Sequence, residues 1–269
     1  MTVSDLINKS VFASIGTLRS PADLKDFLGY YNHNKPFLDN FSKIIYSFNG
    51  DPALIEWIRE FFKDSNVTIL VSENLGHTFG IFLSELEIFN YTSTLDNIDY
   101  VFKFNNDVTI TNDFLQVEIE PNKDFYYINN IGLGALNNKT ENELLSDIQT
   151  KTYFYPQTTH YIIKNNIEYY PDEELTRLLK NEYEVQKQSN PSIQPWHAIE
   201  GCDCENMLTK IIDRNNLSIS YLLTDKETKS IINLVKQRNI VDGSHKNISY
   251  SRLGGLCHYH YINQTILSI

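Results

Sequence analysis

The stretch VTILVSENLGHTFGIFLSELEIF, residues 67–89, followed by DYVFKFNNDVTITNDFL, residues 99–115, decides the fold class. Val67 to Val71 is short and β-branched, as a buried strand is, and it delivers the chain to the polar turn Ser72-Glu73-Asn74-Leu75-Gly76. A helix is expected from about Gly80 to Asn90. Tyr100 to Phe104 is then a second apolar strand, and it closes abruptly on the polar trio Asn105-Asn106-Asp107.

The same alternation continues on both sides. Upstream, Val11 to Ile15 is a charge-free run ending in Gly16-Thr17, and Lys43 to Phe48 is another, ending at the turn Asn49-Gly50-Asp51-Pro52. Pro52 to Lys63 carries Leu54, Ile55, Ile58, Phe61 and Phe62 at helical steps, with Asp51 placed to cap the helix. Downstream, Phe125 to Ile131 and Tyr153 to Lys164 read as strands, Pro171 to Gln188 as a charged helix, and Cys204 to Asn215 as a last helix. This order predicts an α/β fold with a mixed, mainly parallel sheet flanked by helices. One domain over residues 1–269 with a C-terminal extension is expected. In such sheets ligands lie beyond the carboxyl ends of the strands, which places Thr17, Asn49, Asp51, Glu73, Asn74 and Asn105 to Asp107 in the candidate site.

Composition narrows the partners. A net charge of −11 disfavours nucleic acid, which is bound through clustered Lys and Arg. A nucleoside diphosphate remains compatible with an acidic chain when a metal ion supplies local positive charge. No apolar run is long enough to span a bilayer, and MTVSDLINKS lacks the apolar centre of a secretory signal. A soluble, cytoplasmic protein is expected, in the host cytoplasm if the source is viral. Cys202, Cys204 and Cys257 are too few for a disulfide framework.

The segment from Val67 to Leu115 resembles the nucleotide-sugar glycosyltransferases of the GT-A fold, especially the family 2 group: a strand, an Asn-x-Gly turn and helix, then a strand ending in an Asp-x-Asp or Asn-Asn-Asp triplet followed by Val and Phe-Leu. The resemblance implies a nucleotide-sugar donor, a carbohydrate or glycoconjugate acceptor, and a divalent ion, Mn or Mg. Asp107 would hold the metal, and Asn105 and Asn106 replace the other carboxylates of the pattern. Ile15, Gly16 and Thr17 would cradle base and ribose, with Asn49, Asp51, Glu73, Asn74 and Gly76 as further donor contacts. The first half, about residues 1–120, would bind the donor, and the second the acceptor. The ordinary readings are a polar turn after a buried strand at 105–107 and a helix start at Gly50-Asp51-Pro52.

WHAIEGCDCENML, residues 196–208, resembles the region where inverting members carry a Gly-Glu-Asp-like sequence at a helix start. Asp203 then takes the place of the catalytic base, with Glu205 as the alternative; the bland reading of Asp203 is a helix cap. His258-Tyr259-His260 offers the additional C-terminal His ligand of several such enzymes, His260 ahead of His258. A His-x-His pair is also the alternation of a strand. Cys202, Cys204, Cys257 and either His make a rival structural zinc set, although Cys-x-Cys is tighter than the usual spacing. Two other functions compete: a sugar-phosphate nucleotidyltransferase, which needs a Gly-rich phosphate loop, and a non-catalytic nucleotide- or carbohydrate-binding protein on the same scaffold.

Overall fold

The computed structural model describes residues 1–72, 77–106, 108–127, 131–132, 160–166, 168, 181, 184–185, 188, 211–212, 214–222, 249–253 and 256–260. A short helix, α1 (Ser4–Ile7), precedes β1 (Ser10–Leu18), α2 (Pro21–Leu38), β2 (Ile44–Gly50), α3 (Pro52–Phe62), β3 (Val67–Val71), α4 (His77–Thr92) and β4 (Tyr100–Asn105). Then come β5 (Val108–Ile110), a 3-10 turn (Asn112–Gln116), β6 (Phe125–Tyr127), β7 (Ile131–Gly132) and β8 (His160–Lys164). The chain ends with β9 (Ile219–Tyr221), β10 (Ser249–Leu253) and β11 (Leu256–His260). Among the described residues, no helix is long and apolar enough to cross a membrane.

Two sheets result. The larger has the order β3-β2-β1-β4-β8-β6-β9, and the smaller β5-β11-β10-β7. β1 pairs in parallel with both β2 and β4, and β2 with β3. β8 runs antiparallel to β4 and to β6, while β9 is parallel to β6. The expected mixed, mainly parallel sheet flanked by helices is therefore present. The chain leaves β4 for β5 through residues 106 and 107, so it changes sheets at the polar trio.

The sheet's two faces differ in chemistry. Alternate residues of β1, β2 and β4 direct Phe12, Tyr46, Phe48, Phe102 and Phe104 toward α2 and α3, where Phe27, Phe37, Phe41 and Phe62 join them. These rings meet edge-on or stacked, with centroids 4.9 Å apart for Phe27–Tyr46 and 5.7 Å for Phe12–Phe104. Such pairs add to the burial of apolar area. The opposite face carries Val11, Ala13, Ile15, Ile45 and Val101 against α4, with the rings of Phe125, Tyr127 and Tyr161 farther along it and polar groups among them.

Several boundaries differ from the sequence reading. β1 continues through Gly16 and Thr17 to Leu18, because each of those residues pairs with β2. α2 was not legible: its apolar residues make no clean stripe and Pro36 lies within it. A Ser20–Asp23 capping box and Pro21 fix its start. Phe125 to Ile131 is divided between β6 and β7, which belong to different sheets. β8 covers the end of the run expected from Tyr153, and residues 151–159 lie outside the described residues. Residues 181, 184, 185 and 188 of the expected charged helix, and 211, 212 and 214 of the last one, are helical.

The far end of the large sheet is tied by Asp124. Its carboxylate accepts from Lys164 Nζ at 2.6 Å, from Ser218 Oγ at 2.6 Å and from Ser218 N at 3.0 Å, linking β6 to β8 and β9. Burial pushes this carboxyl up, but the Lys164 and Ser218 bonds outweigh it and hold Asp124 down at about 2. A group depressed on folding contributes stability that is complete above its unfolded value, near pH 4, and is lost as pH falls through the folded value. Urea unfolding between pH 5 and pH 2 is expected to show the wild type weakening across that window. Asp124→Asn should start less stable and weaken less; equal pH slopes would remove Asp124 from the acid response.

Candidate functional site

After β3 the chain returns across the sheet to lay β4 on the other side of β1. The strand order reverses between β1 and β4, and the carboxyl ends of the strands at such a reversal are where ligands of open parallel sheets bind. Ile15 lies opposite Asn105 across this seam, and Thr17 lies opposite Asn49 on the other side of β1. Ile15, Gly16, Thr17, Asn49, Asp51, Asn105 and Asn106 are thus gathered on one edge. Glu73, Asn74 and Gly76 follow β3 and lie outside the described residues, as do Asp107, Asp203 and Glu205.

Crowding at the edge explains its glycines. A Cβ on Gly16 would stand 2.6 Å from Asn106 Nδ2 and 2.8 Å from the Phe48 ring, so the Asn106 amide lies directly over the β1 backbone. Gly50 has φ +126°, and a Cβ there would meet the Leu18 carbonyl, which also accepts from Asp51 N at 2.6 Å. Asp51 is exposed, and its Oδ1 accepts from Ala53 N at 2.8 Å as the cap of α3, in keeping with its helix-start reading. Asn49 is buried, with 4% of its surface exposed, and its Oδ1 has no hydrogen-bond partner among the described residues. A buried acceptor in this state is one that a water, an ion or a ligand donor can satisfy.

Beneath the edge lies a charged pair that the sequence reading did not single out. Lys103 Nζ is 2.9 Å from Glu85 Oε1, with the side chains 0% and 3% exposed. The same Nζ donates to Asn105 Oδ1 at 3.3 Å and stands 5.5 Å from the centre of the Tyr161 ring. Burial pushes the Glu85 carboxyl up, against the pull of Lys103 and of the Tyr161 hydroxyl. The available signal was a lysine inside the apolar run YVFKF, on the inward face with Val101. Nearby, Ser72 Oγ at the end of β3 and Ser84 Oγ of α4 are 2.5 Å apart and buried.

A second unforeseen residue is Asn34 of α2. Its Nδ2 donates to the Val108 carbonyl at 2.7 Å and its Oδ1 accepts from Ile110 N at 2.8 Å, so one side-chain amide serves β5 as a neighbouring strand would. On its other side β5 pairs with β11, and His258 is the register partner of Val108, the residue after Asp107. The backbone thus brings the His258–His260 strand alongside the segment that follows the polar trio. Among the described residues no group of three or more His, Cys, Asp or Glu that could hold a metal is present. A carboxylate and a histidine are donor types suited to a first-row divalent ion.

The positive charge at the edge is sparse. Arg19 follows β1, and among the described residues no Lys or Arg ends β2, β3 or β4. The N-terminus of α2 is already occupied, since Asp23 Oδ2 accepts from Arg19 N at 2.8 Å and from Ser20 N at 2.9 Å.

No protein-family model matches the sequence. No curated protein matches it either. Among solved structures the chain is similar to the galactosyltransferase LgtC in complex with donor and acceptor sugar analogs, with TM-score 0.44 and 9% identity over 78% of this chain and 72% of that one. It is similar to the apo-form glycosyltransferase GlyE of Streptococcus pneumoniae TIGR4, with TM-score 0.44 and 12% identity over 96% of this chain. The chain spans 56% of the length of GlyE. It is also similar to the 4-diphosphocytidyl-2C-methyl-D-erythritol synthase of Anaerococcus prevotii DSM 20548, with TM-score 0.38 and 12% identity over 87% of this chain and 99% of that one.

Two substitutions test the geometry of this edge. Gly16→Ala is expected to cost roughly 1–3 kcal/mol in chemical denaturation, since both Asn106 and the Phe48 ring must move. Asn34→Leu leaves a buried carbonyl and a buried N–H without partners, and a loss of roughly 2–5 kcal/mol is expected in the same measurement. Wild-type midpoints in either variant would show that the contact contributes nothing.

Proposed function

We propose that this protein is a glycosyltransferase that moves a sugar from a nucleotide-diphosphate sugar to an acceptor hydroxyl, with inversion at the anomeric carbon. The observation that carries the reading is the edge at the strand reversal: a buried Asn49 oxygen unmet among the described residues, the Ile15–Asn105 pairing at the seam between β1 and β4, and a chain that changes sheets beside β11.

Each residue then has a task. Ile15, Gly16 and Thr17 seat the base and ribose against β1, and Asn49 accepts a hydrogen bond from a base N–H. Asn105 and Asn106 contact the nucleotide from the β4 side, and Asp51, Glu73, Asn74 and Gly76 complete the donor contacts. Asp107, with His260 or His258, would hold a divalent ion, Mn or Mg; when bound it offsets the charge of the departing diphosphate. The sparse cations at the edge and the occupied N-terminus of α2 are in keeping with that need. Asp203 takes the proton of the acceptor hydroxyl as that oxygen attacks, with Glu205 as the alternative base. The second half supplies the acceptor side.

The nucleotidyltransferase reading is weaker on a specific observation. Only Arg19 and Ser20 separate β1 from α2, and neither is a glycine of the phosphate loop such enzymes use.

Incubation with a panel of nucleotide sugars and Mn²⁺ or Mg²⁺ is expected to release free nucleoside diphosphate by slow donor hydrolysis, and Asp107→Ala to abolish it. Asp203→Asn should lower turnover far more than donor affinity, because a base acts on the acceptor in the transition state. No release from any donor, with no thermal shift from any nucleoside diphosphate, would leave a non-catalytic protein. Unchanged turnover in Asp203→Asn would move the base to Glu205 or the mechanism to retention.

A further inference from the structure

The buried lysine beneath the edge touches a residue of the proposed site, and the chemistry of that contact is one-directional. An ammonium only donates, so the atom of the Asn105 amide facing Lys103 Nζ must be its oxygen. The orientation of this amide is therefore fixed by its neighbour. Lys103 has little freedom to turn away. Its side chain is fully buried, its charge is neutralised by Glu85 at 2.9 Å, and the Tyr161 ring lies 5.5 Å from its nitrogen. Separating the pair would strand a charge in the interior.

We propose that Lys103 is a positioning residue for the nucleotide contact at Asn105: it holds the amide oxygen toward the buried pair, turning residue 105 into a donor toward ligand oxygens and withdrawing it from any cation's ligand set. This rests on the reading of the edge as a nucleotide site. Asn105 is half-buried opposite Ile15 at the seam, and among the described residues nothing accepts from its Nδ2. The group it would meet is an acceptor oxygen of a nucleoside diphosphate. An amide suits the position for a further reason. A carboxylate at 105 would compete with Glu85 for one ammonium, leaving a buried pair of acids sharing a single cation.

Calorimetric titration tests this with UDP, GDP, CDP, ADP and dTDP, each at saturating Mg²⁺, and separately with Mn²⁺ alone. Taking the tightest nucleotide, Asn105→Ala is expected to weaken it about tenfold while the Mn²⁺ affinity stays within about twofold. Lys103→Met with Glu85→Gln, which removes both charges together, should produce a similar nucleotide loss, and adding Asn105→Ala to it should weaken binding little further. Additive losses would overturn the positioning role, because Lys103 would then act independently of Asn105. Weaker Mn²⁺ binding by Asn105→Ala would overturn it as well, and that pair of titrations decides the matter even if the charge-free variant does not fold. A wild type that binds none of the five nucleotides overturns this proposal and the nucleotide reading together. Binding with additive losses overturns this proposal alone.

Discussion

Parallel pairing of β1 with β2 on one side and β4 on the other is the constraint from which the rest of the molecule follows. A parallel strand cannot be joined to its neighbour by a tight turn, so each pairing requires a crossover, and α2, α3 and α4 are those crossovers. With β1 central, the first two crossovers move outward to β3 and the third must come back over the sheet. The reversal falls between β1 and β4, and the register fixes which residues meet at their carboxyl ends. A slip of one residue would exchange Ile15 and Asn105 with the aromatic face and leave no polar edge.

The two faces of this sheet divide the work between stability and chemistry. The α2–α3 side is packed with rings and supplies apolar burial. The α4 side accommodates Ser47, Glu85 and Lys103 at positions where alternation calls for apolar residues. Buried charge of this kind is a poor source of stability, because the desolvation of both partners opposes their attraction. Its place directly below Asn105 gives it a different reason to exist.

The sequence made legible what depends on local pattern. Short β-branched runs ending in polar turns revealed β1 to β4, and a capping Asp51 before Pro52 revealed α3, since apolar periodicity and turn chemistry act within a few residues. The polar carboxyl edge followed from those strands alone. What was not legible depends on contacts distant in the chain. Asn34 looked like one of many asparagines, and only its position 74 residues from Val108 gives its amide two backbone partners. Lys103 and Glu85 stood in plain view inside quoted segments, but neither announces its partner. α2 escaped because its buried face includes a polar residue, Asn34, and because Pro36 lies within the helix. The extension of β1 through Gly16-Thr17 escaped because a glycine more often ends a strand than lies under a neighbour's side chain.

The amide of Asn34 also bears on how this chain avoids its own copies. β5 is the terminal strand of the small sheet, and an open strand margin offers unpaired N–H and carbonyl groups to any extended segment that drifts past. The Val108 carbonyl and the Ile110 N–H are already satisfied from within the molecule, so these two groups present no template for cross-chain pairing. A single helical side chain thereby lowers the aggregation hazard of a sheet too small to close upon itself.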